Sequence, residues 1–452
     1  MAALGLLALG MAFALYRYPP PSIGLVLAGG LAVVGVLALT IARYDAAVAL
    51  GFVIFGVVRV EPAPPDLILI SVIAVAFVTG RFNIDRIPLA AIAGVGAFIS
   101  LNLLSTLEAI KPGTAALFLS ITLYLAVFSL WLADYVNSTR RAHLIVSAYL
   151  VAAVVSALLG TTALIVPFPG HETFIYAGDR AQALFKDPNV FGPFLVPILL
   201  ILLEETLKPR LLKLSHLYKY LLILILALGV LFSFSRAAWL NLAIGIVVML
   251  AVLMLKRGGS KPAARLIAVL LVGGMVTAVV LSATGSIHFL DQRASLQEYD
   301  TQRFGAQQVG IQYAESHPFG AGPGQFDVLF PIAAHSTYVR VLTEQGILGL
   351  VSLLAIVAST LVFAGRNAVL GRSTYGIGSA ALLGAWCGVL ANSFFVDTLH
   401  WRHLWLVAAL IWAGAMRRTP EDPPETAFNP ALSPKSLPRS EVGVARQSPA
   451  GG

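Results

Sequence analysis

A histidine in the last third of the chain stands where a proton acceptor would be useful. His335 lies in a mostly polar segment, a few residues before a long apolar run begins. A histidine there can stay neutral at pH 7 and take a proton. A loop histidine that only hydrogen-bonds a neighbour would look the same, so position alone leaves both interpretations open.

Arginine provides the second kind of candidate. Arg236 stands between two apolar runs, Tyr220–Ser235 and Ala237–Leu255. A charge next to hydrocarbon is costly, which makes this arginine a functional hypothesis. An arginine that reaches out to lipid headgroups would give the same pattern.

Two further arginines lie in polar segments. Arg303 falls in a predicted amphipathic helix, about Tyr299–Ser316, where a solvated helix face is the plain alternative to a function. Arg180 lies in a shorter segment that ends in an Asp-Pro-Asn sequence beginning at Asp187. Aspartate followed by proline is a helix-start signal, so Asp187 is predicted to cap a helix and not to act in catalysis.

Other motifs give weaker signals. Gly320-Ala-Gly-Pro-Gly324 lacks a preceding strand and a following Gly-Lys-Ser/Thr, so it predicts a sharp turn near the membrane and not a nucleotide site. The eight histidines are scattered, and no pair in the long polar segment has helical ligand spacing, so no metal site is predicted. A carboxylate pair suited to glycosidase chemistry stays open among Asp291, Glu298 and Asp300.

Composition shows which elements must position these residues. Hydrophobic residues make up 58% of the 452 residues and charged residues only 12%, about half the charged share of a soluble protein. Uncharged runs long enough to span a bilayer recur along the chain. They predict an all-α integral membrane protein with about 12–14 transmembrane helices. The clearest runs are Ser22–Ala42, Ile87–Leu107, Pro112–Ala133, Leu144–Gly170, Ala237–Leu255, Leu266–Ile287, Ile347–Gly365 and Ser373–Val396. Interrupted or weak runs are Pro62–Gly80, Pro188–Leu203, Tyr220–Ser235, Leu404–Met416, Met1–Tyr16 and Ala46–Val58.

The distribution of basic residues predicts the orientation. With both termini in the cytoplasm, 20 of the 30 lysines and arginines fall on the cytoplasmic side, as the positive-inside rule requires. The net charge of +8 is therefore explained by topology, and no nucleic-acid partner is predicted. Two long outer loops result, at 168–187 and 288–344, the larger one before the third-last span.

The predicted topology divides the chain into three regions. Residues 1–166 are predicted to form N-terminal transmembrane helices, and 167–416 a transmembrane core that carries both outer loops. Residues 417–452 contain seven prolines and mixed charges, which predicts a disordered cytoplasmic tail.

Several motifs together resemble the O-antigen ligase and polymerase superfamily of bacterial inner-membrane glycosyltransferases. They are Asp-Pro-Asn-Val-Phe-Gly at 187–192, Phe-Ser-Arg-Ala-Ala-Trp at 234–239, His-Pro-Phe-Gly-Ala-Gly-Pro-Gly at 317–324, His-Ser-Thr-Tyr at 335–338 and Glu-Gln-Gly-Ile-Leu-Gly-Leu at 344–350, together with Arg303. The resemblance covers roughly residues 180–400, and the order of the motifs makes it specific.

The resemblance implies an activity. Such enzymes move a glycan from an undecaprenyl-diphosphate-linked donor to an acceptor hydroxyl at the periplasmic face, without a metal or cofactor and with inversion. It implies that His335 is the general base or orients the acceptor, and that Arg236, Arg303 and Arg180 bind the donor diphosphate.

The acceptor and the partners stay open. A ligase would use a lipid A-core acceptor and a polymerase a lipid-linked glycan of the O-antigen or exopolysaccharide kind. Besides membrane lipids, a chain-length regulator or a glycan flippase is the expected partner. A multi-pass transporter or flippase of lipid-linked glycans is the alternative function.

Overall fold

The computed structural model of the chain describes residues 22–60, 63–256, 259–285 and 298–415. The predicted first run Met1–Tyr16, the candidate Asp291 and the predicted tail at 417–452 lie outside the described residues.

The described residues fold into fifteen α-helices and one small antiparallel hairpin. The helices are α1 Ser22–Ala42, α2 Tyr44–Val53, α3 Pro64–Val78, α4 Leu89–Ser105, α5 Pro112–Tyr135, α6 Thr139–Ile165, α7 Pro188–Leu207, α8 His216–Phe232, α9 Arg236–Leu255, α10 Ser260–Ala283, α11 Glu298–Ser316, α12 Phe326–Leu329, α13 Thr337–Leu370, α14 Ser379–Asn392 and α15 Arg402–Ala415. The hairpin pairs β1 Ile175–Tyr176 with β2 Arg180–Ala181. Short 3-10 helices lie at Ile84–Arg86, Thr106–Glu108 and His171–Phe174.

The helices confirm an all-α integral membrane protein that crosses the bilayer several times. Among the described residues, seven helices are long and apolar enough to span a membrane: α4 with its 3-10 extension, α5, α6, α7, α9, α10 and α13. The weak run predicted at Ala46–Val58 yields only α2, which has 10 residues. At 1.5 Å per residue α2 reaches about 15 Å, half the thickness of the hydrocarbon core.

The apolar helices fall into two kinds of environment. In α7, 89% of the most apolar window is buried inside the protein, and the corresponding share in α10 is 11%. A helix that is apolar on every side must lie either in a protein core or against lipid. We therefore take α7 as the central helix, packed by α6, α8, α9 and α14, and α10 as a lipid-facing helix.

The longest helix, α13, is broken near its start. The sequence predicts its membrane span from Ile347, but helical structure already begins at Thr337. Gly346 interrupts it with φ 69° and ψ −172°. Residues 337–345 thus form a separate helical segment, set at an angle to the apolar run that follows.

Glycine is required at this break for two reasons. Positive φ is readily adopted by glycine and costly for other residues. In addition, a Cβ atom at Gly346 would collide with the backbone oxygen of Pro318. The break therefore lets the loop at 317–326 pack directly against α13.

Gly346→Ala is expected to lower the free energy of unfolding by more than about 2 kcal/mol, because it adds backbone strain to a steric clash. Gly365→Ala in the same helix is the matched control. Gly365 has no atoms within 4 Å of its added Cβ, so that change should stabilise the helix by about 0.5–1 kcal/mol. SDS titration of both variants in mixed micelles measures the two effects, and equal stabilities would contradict the proposed constraint.

Candidate functional site

Three helices begin at one end of the bundle, which we call the site end: α7, α9 and α13. Each is capped by the residue before it. Asp187 accepts the N–H of Asn189 at 2.8 Å, Ser235 that of Ala238 at 3.3 Å, and Ser336 that of Val339 at 3.4 Å. The prediction that Asp187 caps a helix is confirmed. Unpaired N–H groups at helix starts favour anions nearby.

Arg180 lies in the small hairpin and joins the starts of α7 and α9. Its side chain is buried. Its Nε donates to the backbone oxygen of Ser233 at 3.1 Å, and its Nη2 to Oδ1 of Asn189 at 3.1 Å. Oδ1 of Asn189 also accepts a hydrogen bond from Ser235 at 2.8 Å. Arg180 therefore stabilises the turn that leads into α9.

Arg236 is the first residue of α9 and is half-buried. It follows a tight turn in which Phe234 has φ 46°. The carbonyl that Arg180 binds belongs to Ser233, three residues before Arg236. The structure thus brings the two predicted arginines to the same turn.

His335 lies on the other side of the site end, just before α13. It is half-buried and has φ 46°. Nε2 of Gln307 in α11 donates to its backbone oxygen at 3.3 Å. Because Arg303 lies one turn earlier in α11, this bond places the two predicted residues in neighbouring segments.

Several charged side chains act on the pKa of His335. Burial lowers the pKa of His335 below its usual 6.5, and the positive charges of Arg303 and Arg340 act in the same direction. The carboxylates of Asp187 and Asp327 oppose them and raise the pKa. His335, Arg303 and the cap of α7 therefore share one electrostatic environment.

A buried charge cluster that the sequence did not predict supports this arrangement. Arg340 is 4% exposed. Its guanidinium group contacts Asp327 at 2.9 Å, Glu344 at 3.1 Å and Asp397 at 2.9 Å. These carboxylates come from α12, α13 and the loop between α14 and α15. We call these four residues the Arg340 cluster.

Glu344 extends the cluster to the glycine-rich loop. Its carboxylate accepts the backbone N–H groups of Gly324 at 2.8 Å and Phe326 at 3.1 Å. The loop glycines Gly320, Gly322 and Gly324 have φ values of 77°, 96° and 69°. The prediction of a sharp turn is confirmed, and the turn is wrapped around a buried carboxylate.

The sequence contained only a partial signal for this cluster. Arg340 and Glu344 stand one helical turn apart, directly before the apolar part of α13. A charged pair at such a position is costly unless partners satisfy it. Their partners Asp327 and Asp397 are distant in the chain, so the sequence could not identify them.

No metal centre emerges within the described residues: no group of three or more His, Cys, Asp or Glu side chains is placed to hold an ion. The arrangement instead combines a histidine whose pKa is lowered by burial with Arg236 at the start of α9, Arg303 in α11 and Arg180 in the hairpin. Such a site can accept a proton at one point and bind an anionic group nearby.

Glu344→Gln is expected to lower the free energy of unfolding by about 2 kcal/mol, because an amide has one acceptor oxygen for two buried N–H groups. Glu315→Gln on α11 is the control, since Glu315 is exposed and should change stability by less than about 0.5 kcal/mol. SDS titration in mixed micelles measures the change in the free energy of unfolding of both variants. A Glu344→Gln variant as stable as the Glu315 control would show that the carboxylate does not hold the loop.

Comparison with known proteins locates a family in this part of the chain. Residues 221–354 match the family model described as O-antigen ligase. The matched segment contains Arg236, Arg303 and His335, and Arg180 lies before it. A comparison with curated proteins found no match.

Proposed function

From the premise that residues 221–354 match the O-antigen ligase family, as the sequence resemblance predicted, we propose that this membrane protein is a glycosyltransferase. Its donor is a glycan on undecaprenyl diphosphate, and its acceptor is a hydroxyl group. The observation that carries the proposal is that Gln307 of α11, one turn after Arg303, binds the backbone of His335, and that the charge of Asp187 at the start of α7 acts on the same histidine.

In this proposal His335 is the general base. The acceptor hydroxyl attacks the anomeric carbon, and its proton passes to the imidazole. The bond between that carbon and the diphosphate oxygen breaks, and the leaving diphosphate takes the electron pair. Attack from the side opposite the leaving group inverts the anomeric carbon. The depressed pKa of His335 keeps the imidazole neutral at pH 7, as a base must be.

The arginines bind the diphosphate. Charge builds up on the leaving oxygen as the glycosidic bond breaks, and fixed guanidinium groups stabilise that charge. Arg236 stands at the start of α9, whose N–H groups add to the positive potential. Arg303 lies beside His335, and Arg180 both supports the turn and contributes its charge.

The site end faces the periplasm of a bacterial inner membrane in this proposal. The predicted distribution of charge supports it, because the sequence assigns 20 of the 30 lysines and arginines to the cytoplasmic side. The acceptor is a lipid A-core in a ligase and a lipid-linked glycan in a polymerase. A chain-length regulator or a glycan flippase is the proposed membrane partner.

One observation favours a second function, transport or flipping of lipid-linked glycans. Asp66 in α3 pairs with Arg402 in α15 and accepts a hydrogen bond from Tyr124, near the middle of α5. An ion pair that joins apolar helices is typical of transport pathways. The pair is satisfied within the protein, so we place transport second.

His335→Ala and Arg303→Ala are each expected to lower the transfer rate at least 100-fold, since one removes the base and the other a charge on the leaving group. Purified protein in lipid receives an undecaprenyl-diphosphate oligosaccharide, and released lipid diphosphate and product are measured. His317→Ala and Arg366→Ala are matched controls, since both side chains are exposed and lie outside the proposed chemistry.

Two results would contradict the proposal. The first is a His335→Ala variant with the activity of the His317→Ala control. The second is wild-type protein that moves the intact lipid-linked glycan across the bilayer without cleaving it, which would establish transport instead.

The rate of transfer should rise with pH through a midpoint below 6.5 and then stay level, because the base works only when neutral. Asp187→Asn should move the midpoint to lower pH, since it removes a carboxylate that favours the protonated imidazole. Asparagine also caps helices well, so α7 should persist. A pH–rate profile of both proteins measures the shift. Identical profiles would contradict the assignment of His335 as the titrating group.

A further inference from the structure

One buried side chain at the site end has no partner in the fold. Asn392 is the last residue of α14 and is fully buried. Neither its Oδ1 nor its Nδ2 has a hydrogen-bond partner within the ranges that the structure describes. Burying a polar group without a partner costs about 1–3 kcal/mol, and folded proteins contain few such groups.

The packing of α14 against α9 locates this amide. A Cβ atom on Gly384 would lie 2.5 Å from the backbone oxygen of Gly245, and one on Gly388 would collide with Asn241. Small residues thus bring the two backbones into contact. Residues four apart share one face of a helix, so the series Gly384, Gly388 and Asn392 continues towards the first turn of α9.

That first turn carries Arg236. On its other side, the end of α14 supports the start of α13. The N–H of Thr337 donates to the backbone oxygen of Ser393 at 2.9 Å, and the hydroxyl of Tyr338 donates to that of Leu390 at 3.1 Å. His335 lies two residues before Thr337. Asn392 is therefore enclosed between the segments that carry the proposed base and a proposed diphosphate ligand.

A second unpaired group borders the same junction. Oδ1 of Asn241, one helical turn along α9, is buried without a partner among the described residues. Two buried amides with unpaired atoms at one helix junction argue against a chance packing defect. Polar groups retained at a cost in stability are typical of functional sites.

We propose that Asn392 is a positioning residue of the transferase, an inference that rests on the proposed function. When the donor diphosphate occupies the site, the amide hydrogen-bonds the starts of α9 and α13 and fixes Arg236 relative to His335. A displacement of about 1 Å between reacting groups can cost 100-fold in rate. Leucine has nearly the shape of asparagine and would pack well in the protein without bound donor. The amide therefore serves catalysis and does not stabilise the donor-free protein.

The test is Asn392→Leu in the full-length protein in lipid, with Asn102→Leu as matched control. Asn102 is also fully buried with an unpaired Oδ1, but it lies in α4. Asn392→Leu should keep or raise the melting temperature and lower kcat at least tenfold, with a smaller change in KM for the donor. Asn102→Leu should leave kcat within twofold of wild type. Asn392→Ser, which keeps a hydrogen-bonding group, should recover part of the lost activity.

Three results would overturn the inference. The first is an Asn392→Leu variant with the kcat of wild type. The second is an equal loss of kcat in Asn392→Leu and Asn102→Leu. The third is a fall in melting temperature that accounts for the lost activity of both Asn392→Leu and Asn392→Ser. Failure of the proposed function is distinguishable, since wild type would then transfer nothing. In that case undecaprenyl diphosphate is the probe, and its binding should raise the melting temperature of wild type. In Asn392→Leu this rise should be at most half as large. A rise as large as that of wild type would again overturn the inference.

Discussion

The site end depends on the burial of one arginine. The guanidinium group of Arg340 is almost removed from solvent and contacts three carboxylates. Removing a single partner from a buried ion pair is strongly unfavourable, because the remaining charge is left without compensation. Since the three partners belong to different segments, this requirement fixes α12, the start of α13 and the loop after α14 relative to one another. His335 lies five residues before Arg340, so its position is fixed by the same requirement.

Glycines let the backbone approach these charges closely. The loop at 317–326 can direct the N–H groups of Gly324 and Phe326 to Glu344 only because its glycines adopt positive φ. The break at Gly346 turns the charged start of α13 away from the direction of its apolar run. Charged and apolar parts of one continuous helix are thereby separated, which limits the cost of placing ionisable groups next to a membrane.

The sequence predicted the parts of this structure that depend on local signals. Hydrophobic runs located most helices within a few residues, the Asp-Pro pair at Asp187 gave the start of α7, and the glycine cluster gave a turn. The start of α13 was placed ten residues too late, because residues 337–345 are mixed in polarity and gain their helical structure from packing. The charge cluster required knowing that Asp397 lies beside Arg340, a contact between segments that no periodicity reveals.

The candidate site shows the same division between local and long-range information. Arg236 was visible as a lone charge between apolar runs, and His335 as a histidine before a helix. The sequence does not predict the hydrogen bonds from Arg180 to Ser233 and Asn189, because a hairpin of two-residue strands has almost no sequence pattern. The structure therefore gives Arg180 a supporting contact that its charge alone did not suggest.

The balance of charge around His335 completes the physical picture. Burial and two arginines lower its pKa, and two aspartates raise it. Arginines alone would lower the pKa further and weaken the imidazole as a base. Carboxylates alone would favour the protonated imidazole, which cannot accept a proton. Asp327 belongs to the Arg340 cluster and Asp187 to the cap of α7, so residues that hold the fold together also act on the pKa of the proposed base.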